Sequence, residues 1–464
     1  MEEYGGECLN EGISVIGLGK LGAPLAACVA AKGYRVIGVD HDAGKVDLMN
    51  RKLAPVYEPG LEDLLNAAGD RLTATQEIEA AVSATGVTFV VVATPTEPSG
   101  GFSLRCVLPA CERIGHALRE KNGFHLLSLT STVMPGSTGG SVRSMLERAS
   151  GKRMGRDFGL CYNPEFIALG SVIHDFLNPD FLLIGESDPR SGDILESIYK
   201  NVCENTPAMA RMNFVNAEIT KLAVNTYMTT KISFANMLAR LCERLPEANV
   251  DTVTGALGRD SRIGPKYLKG AVSYGGPCFP RDNLALATLA RQLGVPADLA
   301  QVTDQFNRVQ VTWLADLVQD HCPEGGTVGV LGLTYKPNTD VVEEAVGFLV
   351  ARELAGRGAS VAAYDPAGYK GSAPALDRKV RFAASAQECI AQADVVVLAT
   401  PWQEFIAIPR QQWARHSSPR TVIDCWRALK HLDDYTGVRY LGLGTGQVTA
   451  SAGSPAEFET SVVR

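Results

Sequence analysis

Gly17-Leu-Gly19-Lys-Leu-Gly22 stands directly after the apolar run at 13–16 and opens an alanine-rich stretch at 23–31. Three glycines at that spacing suit a strand that turns sharply into a helix. The first allows the turn, the second lets backbone N–H groups reach a pyrophosphate, and the third lets the helix pack closely on the strand. The next apolar run, 35–39, ends in Asp40, 18 residues beyond Gly22. A carboxylate there accepts hydrogen bonds from a ribose diol and repels a 2′-phosphate, so NAD is expected in preference to NADP.

Short Val/Ile/Leu runs continue to alternate with longer helical stretches, the pattern of β-α-β units on a parallel sheet. Strands are predicted at 13–16, 35–39, 89–93, 125–129, 159–161 and 181–184, and again at 328–331, 360–364, 394–399 and 421–424. The fold class is therefore α/β, with two Rossmann-like doubly wound domains. The two passages echo one another: Val90-Val-Val-Ala-Thr-Pro-Thr96 has a counterpart in Val395-Val-Val-Leu-Ala-Thr-Pro-Trp402. In both, Thr-Pro ends a strand, either as a plain stop or where open α/β sheets bind ligands. Between them lies a helical region with one long segment from 216 to about 245, free of internal Gly and Pro and about 45 Å long. Its apolar seam, Phe234, Leu238, Leu241 and Leu245, suits burial against a second subunit.

The length of 464 residues leaves room for about three domains. A net charge of −7 provides no overall positive field for nucleic acid. The longest apolar runs fall far short of the ~20 residues of a membrane span, so no membrane association is expected. The acidic start, 1–12, lacks the basic and apolar regions of a secretory signal. Eleven scattered cysteines, without a Cys-x-x-Cys pair, imply reduced thiols in a cytoplasm and no metal site.

One of those cysteines has an unusual setting. In Tyr274-Gly-Gly-Pro-Cys278-Phe-Pro-Arg-Asp282, two glycines and two prolines restrain the backbone around a thiol, with a cation and a carboxylate close behind. Cys278 is a candidate nucleophile, since the thiolate is the reactive form and adjacent positive charge favours it. Lys221 and Asn225 lie four apart on one helix face, placed either to polarise a substrate oxygen or simply to meet solvent. Glu165, in Asn163-Pro-Glu-Phe166, follows a strand end, where it could act as general base or cap a turn. The hydroxyls of Ser131-Thr132, after another strand, could position a water or begin a turn.

Taken together and in order, these motifs resemble those of the UDP-glucose/GDP-mannose 6-dehydrogenase family. The resemblance also takes in Tyr57-Glu-Pro-Gly-Leu61, Ile173-His-Asp-Phe176, Gly258-Arg-Asp-Ser-Arg-Ile-Gly264, Leu331-Gly-Leu-Thr-Tyr-Lys336-Pro-Asn-Thr-Asp340 and Tyr364-Asp-Pro366. It implies a four-electron oxidation of the C6 alcohol of a nucleotide sugar, UDP-glucose first, to the uronic acid, using two NAD and one water. Cys278 would carry a thiohemiacetal and then a thioester, Glu165 and Thr132 would serve hydrolysis, Lys221 and Asn225 an oxyanion, and Asp282 acid-base chemistry.

The resemblance further implies NAD contacts at Gly17, Gly19, Lys20, Leu21, Gly22, Asp40, Lys45, Thr94, Pro95 and Thr132. Substrate contacts are implied at Phe166, Lys221, Asn225, Arg262, Tyr267, Gly275 and Lys336, with Arg262 reaching the other subunit of a homodimer. The expected organisation is an NAD-binding domain at 1–207, a helical dimerisation domain at 208–320, a nucleotide-sugar-binding domain at 321–446 and a mobile tail at 447–464. Three positions depart from the family pattern: Ile167-Ala168-Leu169-Gly170 after the Asn-Pro-Glu-Phe run, Arg281 for lysine, and Glu343 for arginine. Other readings are the same chemistry on GDP-mannose or a UDP-N-acetylhexosamine, a single-hydride β-hydroxyacid-type dehydrogenase, and a non-catalytic nucleotide-sugar-binding regulator. The single-hydride reading leaves Cys278 and the second α/β domain without a purpose.

Overall fold

The computed structural model describes residues 11–368, 376, 380–415 and 418–446. The tail expected to be mobile, 447–464, and residues 1–10 of the N-terminal stretch lie outside the described residues. The chain divides into two compact units. One holds the described part of 1–227 with 277–304 and 336–341; the other holds 228–276, 305–335 and the described part of 342–464.

The first unit is built on eight strands: β1 (Ile13–Ile16), β2 (Val36–Val39), β3 (Leu72–Thr75), β4 (Val87–Val90), β5 (His125–Leu129), β6 (Phe158–Tyr162), β7 (Phe181–Glu186) and β8 (Ala208–Met212). Their spatial order is β3-β2-β1-β4-β5-β6-β7-β8. Every pairing is parallel except β6 with β7. The order reverses between β1 and β4, and the crevice beyond the carboxyl ends of those strands is where such sheets bind ligands. Strands β1, β4, β5 and β6 are buried throughout, as expected for a sheet covered on both faces. Helix α1 (Gly22–Ala31) is buried through Gly22–Ala30, because small alanines let it lie close against the sheet. Helices α2 (Pro189–Val202), α3 (Phe214–Cys242) and α4 (Phe279–Gln292) carry the side chains discussed below.

The second unit has a sheet of β9 (Thr327–Leu331), β10 (Ser360–Tyr364), β11 (Val380–Phe382), β12 (Val395–Leu398), β13 (Arg420–Asp424) and β14 (Val438–Gly442). Its order, β11-β10-β9-β12-β13-β14, is wholly parallel and repeats that of the first six strands of the other sheet. The repetition reaches the glycines. Gly17 has φ +100°, and a Cβ on Gly22 would stand 1.8 Å from the Gly17 carbonyl oxygen. After β9, Gly332 has φ +93°, and a Cβ on Gly347, in α5 (Val346–Gly356), would stand 1.9 Å from the Gly332 carbonyl oxygen. The strand-to-helix glycine contact is thus present twice. The second copy is hidden from a linear motif because 333–346 separates its two glycines.

All ten predicted strands form, with ends shifted by up to three residues. Four more, β3, β8, β11 and β14, were not anticipated, since Leu72-Thr-Ala-Thr75 and Val380-Arg-Phe382 carry no apolar run. Strand β8 lies beyond the expected boundary at 207/208 and pairs with β7 at the edge of the first sheet. Its half-exposed Ala-Met-Ala-Arg-Met sequence gives no strand signal by itself. Helix α3 starts two residues earlier and ends three earlier than the predicted 216–245. On it Phe234 and Leu241 are exposed, as is Leu245 beyond its end, while Leu238 is partly buried against Ala239, Cys242 and Val250.

Candidate active site

The glycine turn shapes a cradle that depends on the missing side chains. A Cβ at Gly17 would fall 2.4 Å from the Val91 carbonyl oxygen, whereas nothing lies within 4 Å of a Cβ built on Gly19. Open space at the second glycine and tight packing at the other two fit a pyrophosphate at the helix N-terminus. Leu21 precedes the first turn of α1. Buried Asp40 accepts from the Leu18 N–H at 2.8 Å and the Asp42 N–H at 3.0 Å, with the Lys45 ammonium 3.6 Å away. A carboxylate has about four acceptor positions, so Asp40 retains capacity for a ribose diol. Lys20 forms an ion pair with Asp340.

Its counterpart in the second unit, Asp365, is spent differently. It accepts from the N–H groups of Leu333, Thr334, Ala367 and Gly368, from the Thr334 hydroxyl and from the Trp402 indole, all at 2.7–3.3 Å. That saturates a fully buried carboxylate. The two sheets share a topology, but only the first offers a ribose an open acid.

Cys278 is exposed and occupies the N-cap of α4, with Pro280 in the first turn. A thiolate at that place faces the partial positive charge of a helix N-terminus. Asp282, one turn on, is 1% exposed; its N–H donates to the Cys278 carbonyl, and its Oδ2 accepts from Asn225 Nδ2 at 2.6 Å. Its Oδ1 is buried without a hydrogen-bond partner among the described residues, and burial pushes the carboxyl above the usual range despite Lys221 and Arg281 nearby. Buried Lys221 donates to the Glu165 carbonyl at 2.5 Å and lies 4.4 Å from the Phe166 ring centre. Glu165 turns its carboxyl inward, where burial lifts it to about 7 against opposing effects from the Tyr199 hydroxyl and the Lys221 charge. Glu165, Phe166, Lys221, Asn225, Cys278 and Asp282 are thus linked within one unit.

Thr132 is half-buried after β5, and Thr94 and Pro95 follow β4. Arg281 ties the cysteine helix to the latter loop, donating to the Thr94 carbonyl at 2.9 Å and lying 4.5 Å from the Phe102 ring centre. A guanidinium can do both, which accounts for arginine at this position. The altered loop after Phe166 is held by Glu58, which accepts from the Gly170 N–H at 2.8 Å and the Val172 N–H at 2.7 Å, and by Asp175, which accepts from the Ala168 N–H.

Lys336 differs from expectation. It follows β9 in the chain but groups with the first unit, its half-buried ammonium under the influence of Asp175 and Glu58. The segment after Leu333 leaves its own sheet, so position after a strand end does not decide where the side chain acts. Arg262, Tyr267 and Gly275 belong to the second unit. Arg262 is highly exposed and paired with Asp260 at 2.6 Å, while Tyr267 is exposed with φ +65°. A Cβ on Gly275 would stand 2.2 Å from the Glu344 carbonyl oxygen. Glu343 accepts from the Gly276 N–H through its backbone, and nothing in the structure explains its side-chain charge.

Two supporting residues escaped the sequence reading. Glu218, fully buried, accepts from the N–H groups of Gly136 at 2.6 Å and Thr138 at 2.8 Å, anchoring the loop that bears Thr132. Its spacing of three from Lys221 on the same helix was a usable signal. Tyr199, which reaches Glu165 from α2, had none.

The duplicated sheet, the glycine turn with an open acid and the exposed cysteine beside a buried acid define an NAD-dependent dehydrogenase of the double-Rossmann class. Three family models match the chain: the NAD-binding domain of the UDP-glucose/GDP-mannose dehydrogenase family over residues 11–203, its central domain over 215–309 and its UDP-binding domain over 329–431. The chain belongs to the UDP-glucose/GDP-mannose dehydrogenase family. It is 34% identical to a UDP-glucose 6-dehydrogenase of Haloferax volcanii over 416 residues, covering 89% of this chain and 96% of that protein. It is 35% identical to a GDP-mannose 6-dehydrogenase of Pseudomonas aeruginosa over 359 residues, covering 76% and 80% respectively. Among solved structures, a UDP-glucose dehydrogenase of Pyrobaculum islandicum is 33% identical with a TM-score of 0.84, covering 94% of this chain and 98% of that one. The protein is a nucleotide-sugar dehydrogenase that uses NAD, and these matches do not favour the single-hydride or non-catalytic readings. Among the described residues no helix is long and apolar enough to cross a membrane.

Proposed function

We propose that the protein oxidises the C6 alcohol of UDP-glucose to the uronic acid through a covalent intermediate on Cys278. The observation that carries this reading is the exposed thiol at the N-cap of α4, joined through Asp282 and Asn225 to the Lys221–Glu165 pair in the unit that holds the dinucleotide turn. The choice of UDP-glucose rests on the names of the Haloferax and Pyrobaculum relatives.

The turn at Gly17–Gly22 with Asp40 would hold NAD, whose nicotinamide supplies the hydride acceptor. Lys221 and Asn225 donate to the substrate oxygen and stabilise the charge that develops as the alcohol gives its proton to Asp282 and loses its hydride. The Cys278 thiolate then adds to the aldehyde carbon, forming a C–S bond, and the oxygen takes that proton back from Asp282 to give a thiohemiacetal. A second loss of hydride, with the proton passing through Asp282 to solvent, leaves a thioester. Glu165, ionised above about pH 7, removes a proton from a water held by Thr132. That water breaks the C–S bond, releasing the acid and restoring the thiolate. Two hydrides leave, one water is consumed, and the thiol is unchanged.

The enzyme works as a homodimer in the cytoplasm, in a route that supplies uronic acids for polysaccharide. Exposed Phe234, Met237 and Leu241 on α3 support the dimer, since apolar side chains of that size on one helix are usually covered. Purified protein with NAD and a panel of UDP-glucose, GDP-mannose and UDP-N-acetylhexosamines tests the reading. The expected result is two NADH and one uronic acid per UDP-glucose, with acid product lost in Cys278→Ala. Absence of NADH with every sugar, or unchanged acid formation in Cys278→Ala, overturns it.

A further inference from the structure

Tyr199 is fully buried on α2, with its ring 5.9 Å from that of Phe176, and lies in the hydrophobic core of the first unit. Its hydroxyl stands 2.5 Å from Asn163 Oδ1 and 2.9 Å from Glu165 Oε1. The Asn163 amide is oriented by its own Nδ2, which donates to the Leu183 carbonyl at 3.0 Å, so its oxygen faces the phenol. A phenol has one proton and can also accept. Two acceptors at hydrogen-bond distance therefore compete for a single donor.

We propose that Tyr199 is a positioning residue for Glu165, whose single phenolic proton moves between Asn163 and Glu165 and so keeps the carboxyl in place in both of its protonation states. This rests on the function proposed above, because it assigns Glu165 a proton transfer. With Glu165 ionised, the phenol donates to Oε1. When Glu165 takes a proton from water, that carboxyl becomes the donor, the phenol oxygen accepts, and the phenolic proton turns to Asn163 Oδ1. No heavy atom has to move, and no bond forms or breaks apart from the proton that Glu165 gains from water.

The groups acting on Glu165 come from three helices: Tyr199 and the following Cys203 from α2, Lys221 from α3, and Cys28 from α1. Burial favours the neutral acid, and the phenol and the Lys221 ammonium oppose it. Removing the phenol takes away a donor to the carboxylate; removing the Asn163 acceptor leaves the phenol to Glu165 alone. The two changes should move the ionisation of Glu165 in opposite directions, which general damage to the core would not do.

The test uses the NAD-bound enzyme turning over UDP-glucose. Tyr199→Phe is expected to move the acid limb of the kcat profile up by about one pH unit. That slows thioester decay about fivefold at pH 7, while the rate of the first NADH and KM change less than about twofold. Asn163→Leu, close in shape, is expected to move the limb down. Limbs that stay in place, or move in the same direction in both variants, overturn the proposal, and if Tyr199→Phe does not fold, an Asn163→Leu limb that is unmoved or raised does so alone. Absence of turnover in the unaltered enzyme instead refutes the function on which it rests.

Discussion

Glu165→Gln should make the fold more stable in mildly alkaline solution, although it removes a residue placed in the chemistry. Burial lifts this carboxyl from its ordinary 4.5 to about 7. Between those values the unfolded chain has released the proton and the native state still holds it. The unfolded state then binds fewer protons, so stability falls as pH rises through this window. At about 1.4 kcal/mol per pH unit, ionising Glu165 in place costs the native state up to about 3 kcal/mol above pH 7, with the Tyr199 hydroxyl and the Lys221 charge already included. Glutamine has nearly the same shape and no ionisation. Urea unfolding of both proteins across pH 4.5–8.5, in the absence of substrate, measures the difference. The advantage of the variant should grow by about 3 kcal/mol from pH 4.5 to pH 8 and flatten above it. A difference that is independent of pH, or that moves in favour of the unaltered protein as pH rises, refutes the reasoning.

Gly22→Ala would place a Cβ 1.8 Å from the Gly17 carbonyl oxygen, forcing α1 away from the turn. NAD binding measured by calorimetry should weaken by at least about tenfold, the scale of an overpacking strain of 1–3 kcal/mol, and an affinity within about twofold of normal contradicts this. Glu218→Ala leaves the Gly136 N–H and the buried Thr138 N–H without their acceptor. A loss of roughly 2–4 kcal/mol in urea unfolding is expected, and a loss below about 0.5 kcal/mol would show that water replaces the carboxylate.

Much of the fold was legible because its signals are local. The runs at 13–16, 125–129 and 328–331 are short, apolar and rich in β-branched or leucine side chains, which suits a strand buried on both faces. Edge strands such as β8 are half-solvated and need no such run, so only their hydrogen-bonded neighbour identifies them. The glycine turn was legible for the same reason, its three residues being adjacent. Gly332 and Gly347 meet just as closely, but across an intervening segment that no short motif spans.

The site divides along the same line. Sequence by itself determined two parallel α/β modules, a dinucleotide turn with its acid, and a restrained cysteine followed by a carboxylate, because each of these is set by neighbours a few residues apart. Tertiary structure alone decided that Asp282 meets Asn225, that Lys336 groups with the first unit, and that Asp365 is saturated where Asp40 is not. It also decided the proton affinity of Glu165, which depends on Tyr199, 34 residues on, and Lys221, 56 residues on. Desolvation and charge act through space, and the chain order that places a carboxyl in a sequence carries no record of what will surround it.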